Sequence, residues 1–339
     1  MENIPHPMAW LTRRDGSVLL GHGPFQPATS APAEGVAFYV QDFSMGDPAP
    51  WKIPIRIERL SPAEFASRFP TLPDLECDWL PLDAAPFSVV FQEVMSSIQS
   101  GIFEKTVPVV TETGVAGPNP APAIVGAMAR RPPPLQSYGW VRNGSGFAGA
   151  SPELLFSLDG ASLETMALAG TARSEDRDVF AVDQKEIREH EYVAQTLVSK
   201  LMDLGQLQRE SRQILELGPI VHFLTRIRVI LESPMSAEDL VRRLHPTPAV
   251  GPLPRTEGTI ARLMDWRKRL DCPSRFGAPF GLWDQGRFEA IVAIRGVWWE
   301  DSRLSIPAGC GIIEASRLVN EWRELRLKRE AVKRFLDQP

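Results

Sequence analysis

The sequence predicts a layered α/β or α+β fold, on three observations. Short β-branched and aromatic runs gather in two groups, around residues 137–167 and 288–307. Helix-period apolar spacing fills stretches before, between and after them. No internal repeat of about 20 to 50 residues is present, and the groups do not alternate as regular βαβ units would.

The chain has 339 residues, 43% hydrophobic and 23% charged, the composition of a globular protein with a sizeable core. A net charge of -5 gives no broad basic surface for nucleic acid or anionic membrane, so neither partner is expected. No segment approaches the roughly 18 apolar residues of a spanning helix. Met1 to Trp10 lacks the basic and apolar regions of a signal peptide, and a cytoplasmic location is expected. Cys77, Cys272 and Cys310 are scattered and odd in number, which predicts three free thiols rather than a disulfide or zinc framework.

Taken in order, the first 85 residues are rich in Pro, Ala and Gly, with strand-like pieces at Val36 to Val40 and Trp51 to Ile57, and carry no motif. From Phe87 to Ile102 apolar residues recur every three or four positions, predicting a helix ending near Gly101. The β-branched run Lys105 to Thr111 predicts a strand with Lys105 at its start. A short helix is expected around Ala123 to Arg130. Ser137 to Val141, Ser145 to Gly149, Leu154 to Leu158 and Ser162 to Ala167 predict an antiparallel meander. Helices follow at Asp183 to Leu204, Ala237 to Leu244 and Thr256 to Arg269. Strands return at Phe288 to Trp299 and Arg303 to Pro307, and a long helix runs from Leu318 to Leu336.

Two acidic pairs stand out. Glu186 and Glu189 share one face of the first long helix, and Glu321 and Glu324 repeat the spacing on the last. Such pairs are usually solvated surface charge. Their context is different, because Lys328 lies four residues beyond Glu324 and the glycine-rich Ala308 to Ile313 lies just upstream, where small residues let backbone N–H groups approach an anion. If the two helices face each other, four carboxylates repel, and a hard dication such as Mg2+ is the natural remedy. His190, His222 and His245 each have an ordinary reading as packed residues, and no two have metal-ligand spacing. Walker A, GxGxxG, GxSxG and HExxH motifs are absent.

Seven motifs then occur in sequence: Ala150-Ser151-Pro152-Glu153, Ala167-Leu168-Ala169-Gly170-Thr171, Lys185-Glu186-x-x-Glu189-His190, His245-Pro246-Thr247-Pro248-Ala249-Val250, Ile294-Arg295, Ala308-Gly309-Cys310-Gly311-Ile312, and Glu321-Trp322-Arg323-Glu324-x-x-x-Lys328. In this order they resemble the chorismate-utilising enzymes, a family that includes isochorismate and salicylate synthases and the large subunits of anthranilate and aminodeoxychorismate synthases. The resemblance covers residues 150–328, more loosely from about Ser88. It implies one chorismate-binding domain over 1–339, with 1–85 divergent and 86–339 the catalytic core, built as an anthranilate synthase component I-like sandwich of two β-sheets with helices outside.

The resemblance also implies roles. Glu189 and Glu324 would be direct Mg2+ ligands, with Glu186 and Glu321 in support. Arg295, Lys328 and the backbone of Gly309 and Gly311 would hold the pyruvyl carboxylate of chorismate, and Gly170, Thr171 and His222 would contact the ring. Lys105 stands where water-adding members carry a general base and amide-forming members tend to have glutamine. A lysine beside other cations and partly desolvated can lose its proton near neutral pH. Glu153 would be the acid that protonates the departing C4 hydroxyl while water enters at C2, a role suited by a raised pKa. Ala249 and the Ala167 to Ala172 run look like isochorismate synthases. The expected activity is therefore conversion of chorismate to isochorismate, for menaquinone or catechol siderophore synthesis, menaquinone first. No amidotransferase partner is expected, and the expected state is a monomer or weak dimer. Salicylate synthesis, an ammonia-using component, or a chorismate binder with little catalysis are the alternatives.

Some positions depart from the family pattern. Pro108 would interrupt the Lys105 strand. Phe276-Gly277-Ala278-Pro279-Phe280-Gly281 alters a usual aromatic-Ala-Gly-Pro-x-Gly, Gly251-Pro252 replaces Gly-Gly, and Arg317-Leu318-Val319-Asn320 replaces an acidic lead-in.

Overall fold

The computed structural model describes residues 7–69 and 75–337. In chain order the elements are β1 (Met8–Thr12), β2 (Val18–Ala28), β3 (Val36–Val40), β4 (Trp51–Leu60), α1 (Pro62–Ser67), β5 (Cys77–Trp79), α2 (Ala85–Gln99), β6 (Lys105–Thr106), β7 (Val109–Ala116), α3 (Ala121–Ala129), β8 (Gln136–Arg142), β9 (Ser145–Ser151), β10 (Leu154–Asp159), β11 (Ser162–Arg173), α4 (Arg177–Phe180), α5 (Gln184–Leu201), β12 (Gly205–Arg209), β13 (Gln213–Leu217), β14 (Ile220–Leu231), α6 (Ala237–Leu244), α7 (Glu257–Arg269), β15 (Pro279–Asp284), β16 (Arg287–Val292), β17 (Gly296–Glu300), β18 (Arg303–Gly309), β19 (Ile312–Ile313) and α8 (Leu318–Asp337).

Hydrogen bonding links all the strands but β6 and β19 into one antiparallel ribbon. Its order is β5-β7-β18-β17-β9-β8-β1-β2-β4-β3-β15-β16-β10-β11-β14, with β12 and β13 both on the far edge of β14. The ribbon folds back on itself through β2, β4 and β3, giving the two layers of the expected sandwich. Phe38 and Phe280 from one layer and Tyr138 and Phe147 from the other share a core between them. Outside the layer of Tyr138 and Phe147 lie α1, α3 and α8, and outside the layer of Phe38 and Phe280 lie α2, α5, α6 and α7. Residues before 85 therefore contribute the strands that join the layers. Near-continuous burial of β1, β3 and the first half of β2, which are covered on both faces, supplies this, although their composition disguises it.

Several expected strands break, and they do so at the same place in the molecule. The meander over 137–167 is a correction: β8 pairs β9 and β10 pairs β11, but β9 turns to β17 and β10 to β16. Pro152 and Glu153 carry the chain between layers there, with the Ser151 hydroxyl donating to the Val292 carbonyl and the Val292 N–H donating to the Glu153 carbonyl. The run Phe288 to Trp299 splits likewise into β16 and β17, with Arg295 between them at φ +57. The run Lys105 to Thr111 splits at Val107 and Pro108, as the missing proline N–H requires: β6 pairs β19 in a separate two-stranded sheet, and β7 pairs β18. The expected helices are all present within a few residues of their bounds. Among the described residues no helix is long and apolar enough to cross a membrane. All three cysteines are free thiols.

Candidate active site

The strand breaks open a cavity at the crossing between layers, lined by Glu153, Gly170, Thr171, Glu189, His222, Ala249, Arg295, Gly309, Gly311 and Lys328 among others. All of these were expected from sequence. Thr171 also lines an open groove along α4 and α8 that contains Lys185, Glu186, Glu321 and Glu324, so the acidic residues separate cavity from surface.

Helix α5 starts where the Asp183 carboxylate caps it, accepting from the N–H groups of Lys185 and Glu186. Its buried stripe runs Glu189, His190, Val193, Ala194, Leu197 and Leu201, and packing of that stripe aims Lys185, Glu186 and Glu189 at α8. There the Lys185 ammonium lies among all four glutamates: 2.9 Å from Glu186, 2.9 Å from Glu189, 3.3 Å from Glu321 and 4.0 Å from Glu324. Burial works against its charge, but the four carboxylates outweigh burial and hold its pKa well above the ordinary value. Burial raises Glu186 and Glu321 above the usual carboxylate range. Burial also opposes Glu189, yet Lys185 and Lys105 hold it below that range.

The expected metal residues thus converge, with an ammonium in their midst. Among the described residues no three acidic, His or Cys side chains are already drawn to metal-ligand spacing. The donor set nonetheless fits a hard dication: it is all carboxylate oxygen, and Glu321, 1% exposed, has neither oxygen hydrogen-bonded. Lys185 is the residue of this cluster to which sequence reading gave no role. Its signal was its motif position and its four-residue spacing to Glu189, which alone looks like an ordinary helix ion pair.

Lys105 is wholly buried on β6, its ammonium 3.2 Å from Glu189. Its nearest charge is therefore a carboxylate, where proximity to cations had been expected. A Cβ on Gly311 would fall 2.0 Å from Glu189 Oε1 and 2.6 Å from Lys105 Cε, so only glycine allows this pair to pass beneath β19. Lys328 donates to the Gly309 carbonyl at 2.8 Å and to Glu324 at 2.5 Å. Gly309 thus presents a carbonyl to lysine.

On the opposite wall, Glu153 is 3% exposed, and burial pushes its carboxyl up to about 8 against the pull of Lys105, Lys328, a Thr247 hydrogen bond and Arg295. His222 Nδ1 is 2.7 Å from the Gly170 carbonyl, so Nδ1 carries the proton, and Nε2 accepts from Arg295 at 2.8 Å. Burial, then Arg295 and Lys328, hold His222 well below the ordinary histidine range, in agreement with that neutral tautomer. Burial also lowers Arg295, to about 10. The Thr171 N–H donates to Glu186 at 2.8 Å, tying the ring-contact segment to the acidic cluster. Gly170 holds φ +74 with a Glu186 carbonyl 3.2 Å from where its Cβ would be. His190 and His245 lie outside the site as packed residues, bonded to the Thr225 hydroxyl and the Phe43 carbonyl.

Comparison with known proteins bears on this arrangement. A chorismate binding enzyme family model matches residues 80–337. The isochorismate synthases MenF of Bacillus subtilis and EntC of Escherichia coli are each 30% identical, over 55% and 59% of this chain and 41% and 54% of their own. The chain spans about half the length of the curated relatives it matches. The solved structure of Escherichia coli MenF superposes with a TM-score of 0.80 at 21% identity, covering 99% of this chain and 90% of that one. Anthranilate synthase component I from Streptococcus pneumoniae superposes at 0.67 and 16%, covering 98% and 93%. At those identities the structures attest the fold, and the family model, extending over most of the sequence, places this chain in the chorismate-binding enzyme family.

Proposed function

We propose that this chain is an isomerase that converts chorismate to isochorismate with Mg2+. The observation that carries the reading is the division of the cavity into a cationic wall with a carboxyl that is largely neutral at pH 7, Glu153, and an acidic wall of four glutamates gathered around Lys185. Glu153 can donate a proton to the leaving C4 hydroxyl, because burial keeps it protonated where an ordinary glutamate is ionised. Arg295 and Lys328 line the cavity and offer cations to the pyruvyl carboxylate, with His222 fixing the Arg295 guanidinium. Lys105 is the candidate base for the water that enters at C2. It can accept a proton only as the neutral amine, so its Nζ must first give up a proton as well as its contact with Glu189. Glu186, Glu189, Glu321 and Glu324 would hold Mg2+, which when bound supplies a positive charge for the ring carboxylate of chorismate.

The test is a product assay: purified protein, chorismate and Mg2+, with products separated by chromatography. Accumulating isochorismate supports the reading. Release of pyruvate would instead assign salicylate synthesis, and an ammonia-dependent aminated product an anthranilate-type component.

One observation favours a second reading. Lys105 is not among the residues lining the cavity and is 0% exposed. A chain that binds chorismate without turnover fits that placement, and ligand binding with no product at high protein concentration would select it.

A further inference from the structure

A second cavity, of about 280 Å3, opens at one end of the sandwich, between β8, β9, β17 and β18 and the turn before Phe276. Its floor is one cross-strand row. Trp140 faces Phe147, Phe147 faces Trp298 and Trp298 faces Ser305 in register. Phe147 and Trp298 stack with centroids 5.9 Å apart and an interplanar angle of 19°. Two residues further along the same strands, and so on the same face, comes a polar row in which Arg142 and Arg303 flank Ser145 and Glu300. Arg275 closes the other side.

The chemistry of this end is unbalanced. Among the described residues Arg142, Arg275 and Arg303 make no side-chain hydrogen bond or ion pair, and Glu300 is the one carboxylate in the lining. Arg275 Nε and the Trp298 indole N–H are buried donors without an acceptor. Unpaired guanidinium forks recognise carboxylates with two parallel hydrogen bonds, and aromatic rows accept a flat ring. The volume lies near the lower end of the range for small-molecule sites, about 300 Å3 upward.

We propose that this end of the sandwich is a binding site for a small planar carboxylate anion, with the carboxylate on Arg142, Arg275 and Arg303 and the ring over the Trp140–Phe147–Trp298 row. The site is independent of the cavity that holds Glu153 and does not depend on the chorismate reading. The two are neighbours, because Trp298 meets Phe276 edge-on at 5.6 Å and Phe276 lines the first cavity.

The tryptophans of the row make the test direct. Full-length protein is titrated with benzoate, and separately with inorganic phosphate, following tryptophan fluorescence and heat. Saturable benzoate binding is expected, weakened about tenfold or more by R142Q or R303Q, since each removes a charged hydrogen-bond donor. Both arginines are exposed, so neither substitution threatens folding. Three results overturn the proposal: no saturation up to about 10 mM, phosphate binding as tightly as benzoate, or benzoate binding unchanged in the R142Q/R303Q double variant.

Discussion

Glu153 and Glu189 are the same residue type, 3% and 4% exposed in one cavity, and are driven to opposite protonation states. At Glu189 burial is overcome, because Lys185 lies 2.9 Å and Lys105 3.2 Å from its oxygens. At Glu153 burial wins, though Lys105, Lys328 and Arg295 all pull against it, because none forms an ion pair with it. Direct contact with two cations counts for more than the presence of three at a distance, since attraction falls with separation while desolvation is fixed by burial. One wall thereby carries an ionised carboxylate and the other a carboxyl that keeps its proton.

Four experiments can break or sharpen that contrast. Lys105→Ala removes the candidate base and should lower turnover about a thousandfold while leaving magnesium-dependent ligand binding largely intact, as read by chromatography and calorimetry. Parallel loss of binding would show that Lys105 serves only to hold Glu189. Glu153→Gln should cost about a hundredfold in kcat. In the wild type activity should fall as pH rises through about 8, where the acid ionises, and that limb should vanish in the variant. The same shift has a stability consequence. With its pKa raised from 4.5 to about 8 on folding, Glu153 contributes stability that is full below 4.5 and is lost as pH rises through about 8. Thermal melts of Glu153→Gln should therefore lose this pH dependence, and an unchanged slope would place its origin elsewhere.

Lys185→Met leaves four buried carboxylates without their ammonium and should destabilise the protein in chelator by about 3 kcal/mol. Added Mg2+ should restore more of its melting temperature than it adds to the wild type. Equal gains in both proteins would mean that Lys185 and the metal do not share a place. The smallest effect is expected from Asp183→Ala, which removes the cap that starts α5 and should cost about 1 kcal/mol, with a modest loss of Mg2+ affinity by calorimetry.

The helices were legible in the sequence because amphipathic periodicity is local: α5 and α8 each bury one stripe, and Glu189, Glu321 and Glu324 sit on it. The strands near the site were the least legible. Continuous β-branched runs at 105–111 and 288–299, and the expected meander at 137–167, all break beside the cavity, at Pro108, Arg295 and Pro152, the last two where the chain leaves one layer for the other. Local pattern promised continuity there and tertiary structure withdrew it, which is where function commonly asks for an exception. Lys185 escaped notice for a different reason. Its place among Glu321 and Glu324 depends on two helices meeting across more than 130 residues of sequence, which periodicity cannot report.

The path of the ribbon bears on how this protein can be dissected. The region matched by the family model begins at residue 80, yet β1 covers one side of β8 and β3 one side of β15. A fragment cut at that boundary would keep every residue to which chemistry is assigned. It would also expose two long, apolar strand edges deep in the molecule, each an invitation to pair with another chain. Such a fragment is expected to precipitate, and the N-terminal strands act as a clasp whose removal turns an interior into a seam.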